Sequence, residues 1–389
     1  MSLHERFDFL LAQRQVIMSS FECAPKNLID NTQALFISYK ALNEGAALSQ
    51  SDSQNACQSD SQSQLLKAKN ATELVSALES EVDYDVQNQL VIIQLFLKLH
   101  CQQNSQQQCL LFQRLFDSSV INSAQSFPNL ALLASQYLIH PLVLSSDGKT
   151  AAQIHQYLLL CIFQGQRLNR KQASERLTTS MTPVTPVTTL YVELLMEVKK
   201  APLKIYENVI ELEMVDSILF DFYIASLDEE QLTLILNVMS QDDTLRAKVI
   251  EVMGYSGFIK FVPFLAKAMQ QPSQTMAAFN ALKIILGPLL EQAISLQWQS
   301  ESDLDKRGEY LQFYSAKLLD RWPAIALNYN QNNTISRMLN GVEVNENSIE
   351  FLLTQTSPVH QKIAQLHQYR LHGTISKAIA STADSKLAS

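Results

Sequence analysis

Two segments, LRAKVIEVMG at Leu245–Gly254 and AFNALKIILG at Ala278–Gly287, repeat one pattern 33 residues apart. Val249 corresponds to Leu282, Val252 to Ile285, Met253 to Leu286 and Gly254 to Gly287. Each copy is an apolar stripe followed by a glycine where a helix should stop. Between them, Ile259–Met269 places Val262, Leu265, Ala266 and Met269 on one helical face, with Pro263 in the first turn, where a missing N–H costs little. Paired helices at this period each keep one apolar side that only a neighbouring pair can cover, so the chain is constrained towards stacked helical hairpins.

The first of these glycines opens Gly254-Tyr255-Ser256-Gly257. A serine-hydrolase elbow needs Gly-x-Ser-x-Gly on a strand-to-helix turn, which lifts the serine above a parallel sheet. The motif here is one residue short, follows a helix and has no strand before it. Glycine accepts left-handed conformations that let a chain reverse between antiparallel helices, so the tetrapeptide is read as a bend.

Turn formers are scarce throughout. Gly (9) and Pro (11) are few for 389 residues, whereas an all-β or doubly wound fold needs many tight turns. With 47% apolar residues and no sustained alternation of period two, the expected class is all-α, an irregular α-solenoid. Helices are predicted at Leu3–Ser19, Lys26–Leu42, Ala71–Glu79, Asp85–His100, Gln107–Phe116, Asn129–His140, Ala151–Phe163, Leu190–Val198, Val209–Ile224, Asp228–Met239 and Asp303–Arg321. The last is ended by Trp322-Pro323, because the residue before proline avoids helical geometry. Asp228 is a candidate N-cap, with Gln231 completing a capping box.

The expected organisation is an N-terminal helical pair (1–48), a flexible Ser/Gln-rich linker (49–69) and an N-terminal helical region (70–177). A Thr/Pro seam (178–189), HEAT-like repeats (190–300), a C-terminal helical cap (301–375) and a disordered tail (376–389) follow. The linker contains SQSDSQNACQSDSQSQ, which has almost nothing apolar to offset the entropy of ordering it. QQNSQQQ at Gln102–Gln108 is read as a loop. The seam, TTSMTPVTPVTT, is extended because prolines and β-branched residues disfavour helix.

The stretch from Asp242 to Gly287 resembles HEAT-like repeats: helix, glycine bend, a Val-Pro-x-Leu helix, polar loop, helix. The opening helices, this pair and the later SRMLNG resemble in order a group of bacterial HEAT-like proteins. In that group an Arg-x-Leu-x-Gly turn precedes two helices; the matching residues here are Arg337, Leu339 and Gly341, then Asn347–Leu353 and Pro358–Tyr369. Members are often encoded among type VI secretion components, so the resemblance implies an accessory or effector-handling role. It brings no catalytic residue with it.

Residues that could carry chemistry have plainer readings. His360 and His367 lie two turns apart, with His372 beyond, but metal ligands on a helix favour an i, i+4 spacing with Cys or carboxylate nearby. Gln361, Gln365 and Gln368 suggest a wet surface there. His100 and Cys101 are adjacent and would point in different directions on a helix. Of the acidic pairs Asp83/Asp85, Asp242/Asp243 and Asp303/Asp305, Asp242 and Asp303 read as N-caps. No Walker or Gly-x-Gly-x-x-Gly loop is present, and no catalytic residue, cofactor or metal is expected. Aromatic residues in DSILFDFYIA (Asp216–Ala225) and YLQFY (Tyr310–Tyr314) read as core.

The formal charge is −8, with no basic face for displacing counterions from nucleic acid. The charge is concentrated. Between Glu207 and Glu251 eleven acids face two bases, Arg246 and Lys248, a net of −9. Glu229, Glu230, Asp242 and Asp243 are the candidate contacts of an acidic surface for a partner protein with a basic surface. Apolar runs such as Leu90–Leu99 are too broken to span a membrane. The five cysteines include no C-x-x-C pair, and the N-terminus lacks a signal peptide's apolar stretch. A cytoplasmic, non-catalytic scaffold or adaptor for protein–protein recognition is the expected function. The alternatives are an immunity-type toxin-binding protein, or an enzyme of lyase or base-excision type on a helical-repeat frame.

Overall fold

The computed structural model describes residues 2–49, 61–80, 84–101, 104–118, 126–138, 151–165, 190, 202–294, 303–330 and 337–373. The linker stretch 50–60, the seam 178–189, most of the helix expected at 190–198 and the tail 376–389 lie outside these residues. Among those described, the fold is all-α with one two-stranded ribbon. No helix among them is long and apolar enough to cross a membrane.

The first helices are α1 (Leu3–Ser19), α2 (Pro25–Ser49), α3 (Ser61–Lys67) and α4 (Ala71–Glu79), followed by α5 (Val86–Phe96), α6 (Ser105–Asp117), α7 (Ser126–Tyr137) and α8 (Ala151–Phe163). All belong to one of two compact units. Their starts are written locally. Ser2 and Glu5 form a capping box at α1, Asn70 caps α4, Asp85 caps α5 and Asn104 caps α6. Phe7, Leu11, Leu35, Tyr39, Ile93, Phe96, Phe112 and Phe116 share one core.

Two expectations change here. The linker reading fails at 61–67, where α3 buries Leu65 and Leu66 in that core. The loop reading of Gln102–Gln108 shrinks, because the Asn104 side chain accepts from Gln106 and Gln107 N–H and starts α6 early. Beyond α5 the backbone widens into a single π-turn, Leu97–Cys101.

The second unit, but for the first residues of α10 and the last of α18, holds α9 (Pro202–Glu211), α10 (Ile218–Ser226), α11 (Glu229–Met239), α12 (Arg246–Ser256) and α13 (Val262–Ala268). It continues with α14 (Thr275–Leu286), α15 (Pro288–Glu291), α16 (Leu304–Asn330), the strands β1 (Met338–Leu339) and β2 (Val342–Glu343), α17 (Ile349–Gln355) and α18 (Pro358–His372). β1 and β2 are antiparallel, with Met338 opposite Glu343 and Leu339 opposite Val342.

The helix expected at Val209–Ile224 is two helices. Glu213 takes a left-handed φ of 52°. Met214 N–H bonds Val209 O at 2.9 Å and Glu213 N–H bonds Ile210 O at 3.0 Å, a Schellman ending that lacks its usual glycine. Val209 and Met214 are both buried, which supplies the apolar contact this ending favours.

The expected stop at Trp322-Pro323 is also overturned, since α16 runs through Pro323. Pro323 is exposed, so water can reach the carbonyl that its missing N–H releases.

The repeat forms the centre of this unit. α12 lies directly on α14, and α13 packs on α14 and α16. Gly254 permits the closest approach, since a Cβ there would sit 2.8 Å from the Cα and Cβ of Ala281. Gly257, at φ 76°, ends α12 in the left-handed conformation. Ser256 is wholly buried and donates its hydroxyl to Met253 O at 2.8 Å; Gly254–Ser256 form the last turn of α12, so the expected bend narrows to Gly257, and among the described residues no sheet lies beneath the serine.

Candidate functional site

The C-termini of α10, α12 and α14 each leave carbonyls without intrahelical partners. The β1–β2 ribbon and α18 bring donors to all three. The Arg337 guanidinium donates to Ala225 O at 2.8 Å, to Ser256 O at 3.1 Å and to Leu227 O, and stacks 4.0 Å from the Phe258 ring centroid. Met338 N–H donates to Gly257 O at 2.7 Å, Asn340 N–H to Ile284 O at 2.8 Å and Gly341 N–H to Ile285 O at 2.9 Å. Gly341 has φ 76°, and a Cβ there would meet Leu286 O at 2.8 Å. The Arg-x-Leu-x-Gly element is thus an internal fastener of helix ends.

Two histidines complete it, and they correct the wet-surface reading. His360 and His367 are buried, as is Gln368, while His372 is exposed. His367 Nε2 lies 2.8 Å from Tyr255 O, and His360 Nε2 lies 3.2 Å from Lys283 O. Carbonyls only accept, so in both rings Nε2 carries the proton. Burial lowers the His360 pKa to about 4. Burial, followed by the charges of Arg337 and Arg370, lowers that of His367 to about 3. Burial and Arg370 also work against the Arg337 charge, and Asp228 and Glu229 favour it. Among the described residues no group of three His, Cys, Asp or Glu side chains is placed to hold a metal ion.

The acidic segment lies on the outside of this unit. Ten of its eleven acids are exposed, and Asp221 is half-buried. The four residues singled out in the sequence do not form one cluster. Glu229 and Glu230 occupy the first turn of α11, and Asp242 and Asp243 follow its last turn. They are separated by the length of an eleven-residue helix, about 16 Å.

Three of these four have partners. Glu229 pairs with Lys260 at 2.9 Å, and Asp243 pairs with Arg246 at 2.5 Å. Asp242 accepts from the Thr244 hydroxyl at 2.7 Å and its N–H at 2.8 Å; these bonds hold its carboxyl below the ordinary value. The Asp228–Gln231 capping box is formed as expected.

A cluster that the sequence did not single out centres on Lys248. Its ammonium lies 3.4 Å from Asp221, 3.4 Å from Glu251 and 3.7 Å from Asp216. Burial opposes the Lys248 charge, but Asp221, Glu251 and Asp216 together outweigh it and raise its pKa. Burial raises the Asp221 carboxyl, with Lys248 acting against it. Burial also raises the wholly buried Tyr255 phenol, and Asp221 and Glu251 add to that. The sequence signal was slight: one i, i+3 pair, Lys248–Glu251, and an aspartate inside an apolar run.

Other candidates resolve plainly. Cys101 is buried, and burial pushes its thiol up to about 11, the opposite of a reactive thiolate. Phe220, Phe222 and Tyr223 are core, as expected, whereas Tyr310 and Phe313 are exposed. Compared with protein-family models, curated proteins and solved structures, the chain matches none.

Proposed function

We propose that the second unit is a non-catalytic docking scaffold of stacked helical hairpins whose acidic face recognises a basic partner protein. The observation that carries this reading is the placement of ten exposed acids of the 207–251 segment on a frame whose helix ends are fastened from within. A net charge of −9 over so short a stretch steers a basic surface from about a Debye length away, roughly 8 Å in physiological salt.

HEAT-like stacking is supported by the direct packing of α12 on α14, the two helices that carry the repeated apolar pattern. Arg337, Leu339 and Gly341, followed by α17 and α18, keep the order of residues and helices that resembles the type VI secretion-associated group. That supports an accessory, effector-handling role in the cytoplasm. A non-catalytic role is supported by the engagement of Ser256, His360 and His367 with backbone carbonyls.

The test is recovery of partners from the native host at low and high salt. The protein is compared with a variant carrying Glu229→Gln, Glu230→Gln, Asp242→Asn and Asp243→Asn. A partner retained at low salt should be lost at high salt, and the variant should bind it about tenfold more weakly, equivalent to about 1.4 kcal/mol. Equal affinity of the two proteins would remove the acidic-docking reading.

A further inference from the structure

α18 presents two polar atoms that the fold leaves unbonded. His367 Nδ1 and Arg370 Nε are both shielded from water and bond nothing among the described residues. Three residues apart on one helix, they are neighbours on its surface. Because Nε2 carries the His367 proton, Nδ1 offers a lone pair, whereas Arg370 Nε–H is a donor.

A closed circuit of bonds holds these groups beside Arg337. His367 Nε2 lies 2.8 Å from Tyr255 O, and Arg337 donates to the next carbonyl, Ser256 O, at 3.1 Å. Val344 N–H donates to Arg337 O at 3.1 Å. The Val344 carbonyl in turn accepts from Arg370 Nη2 at 3.5 Å, and one turn of α18 leads back to His367. That last bond is the longest of the circuit, and Arg370 is half-buried, so its guanidinium is the part reached from solvent.

The charge in this circuit is unbalanced. Arg337 lies on carbonyls at the ends of α10 and α12, where the helix dipoles offset part of its charge. Asp228 and Glu229 favour that charge from farther off, but Asp228 caps α11 and Glu229 pairs with Lys260. Arg370 holds only Val344 O, and among the described residues neither guanidinium is in an ion pair. Burial works against the Arg370 charge. Charges withdrawn from water are normally paired, which favours an anion from solution at this place.

We infer that hydrogen phosphate binds at this face of α18, accepting from Arg370 Nε–H through one oxygen and donating its P–O–H to His367 Nδ1. The donor beside an acceptor selects the ligand. Sulfate and carboxylates at neutral pH have no hydrogen to give, so their lone pairs face that of Nδ1 and a bond goes unmade. A phosphomonoester loses its remaining proton at about pH 6, so above neutrality it has the same defect. The site is separate from the acidic docking face, and neither proposal needs the other.

Titration calorimetry and thermal unfolding at pH 7.5 and constant ionic strength test this with inorganic phosphate, sulfate and phosphoserine. Phosphate should bind saturably and raise the thermal midpoint, with sulfate and phosphoserine weaker by roughly tenfold or more. Arg370→Gln should weaken phosphate binding by roughly tenfold. It removes a half-buried side chain with one long bond, so circular dichroism should match that of the unsubstituted protein. In nitrogen-15 NMR of the unsubstituted protein, phosphate should shift the His367 ring signals and leave those of exposed His372 in place.

Phosphate and sulfate acting alike, or Arg370→Gln binding phosphate with unchanged affinity, would overturn the inference. So would saturating phosphate that leaves the His367 signals unmoved. The docking reading stands or falls separately, on the variant of Glu229, Glu230, Asp242 and Asp243.

Discussion

In the first unit Asn43 donates to Leu66 O at 3.3 Å and Ala68 O at 2.9 Å at the end of α3, and Asn31 donates to Leu10 O at 3.0 Å. In the second, the corresponding work falls to Arg337, His360 and His367. Both units bury polar side chains against backbone carbonyls, but one uses neutral amides and the other uses groups that carry or can acquire charge. A neutral amide forms one or two bonds and is indifferent to pH. A guanidinium spans several helix ends at once, and a buried imidazole makes the fold sensitive to acid.

The largest expected effect separates the two units by size. Arg337→Ala leaves carbonyls of Ala225, Leu227 and Ser256 unpaired and should destabilise the second unit by about 3–5 kcal/mol. Asn43→Ala should cost the first unit about 1–2 kcal/mol. Denaturant unfolding followed by hydrogen exchange in each unit measures both, and equal costs would break the comparison.

A second effect, of similar size at low pH, separates them by pH. His360 and His367 have folded pKa values of about 4 and about 3, below the value of about 6.5 expected when unfolded. Below pH 6.5 the unfolded chain takes up protons that the folded one refuses. Stability of the second unit should therefore fall as pH drops from 6.5 towards 4, by up to about 1.4 kcal/mol per pH unit for each ring. The charged groups facing these rings, Lys283 for His360 and Arg337 and Arg370 for His367, deepen the penalty. Exchange at pH 7 and pH 4.5 should show the second unit opening first. The reverse order would mean that the rings do not govern acid stability.

The smallest effect compares two helical glycines. Gly254→Ala forces a methyl against Ala281 and should cost about 1–3 kcal/mol by pushing α12 and α14 apart. Gly308→Ala, with nothing within 4 Å of the added Cβ, should instead stabilise α16 by about 0.4–1 kcal/mol. Thermal midpoints that move together would show that Gly254 is not a packing device.

How far the fold was legible follows from where its determinants lie. α1 and α4 have their expected bounds because their caps and stripes are local, and α8 has its expected bounds as well. The Asp228–Gln231 box and the bend at Gly257 were readable for the same reason. The break at Glu213 was not, because its left-handed residue is a glutamate and its stabilising contact joins Val209 to Met214. The histidines were misread because glutamines beside them suggested water; tertiary packing decides their burial. The four acids were found as charges, but their separation along α11 needed three dimensions.

Arg337 stands 112 residues after Ala225, the carbonyl it holds. During synthesis α10, α12 and α14 therefore emerge well before their fastener, and each waits with an open end. Closing so long a loop is slow relative to forming the helices themselves. The acidic outer face of the second unit is thus encoded ahead of the side chain that ties its helix ends together.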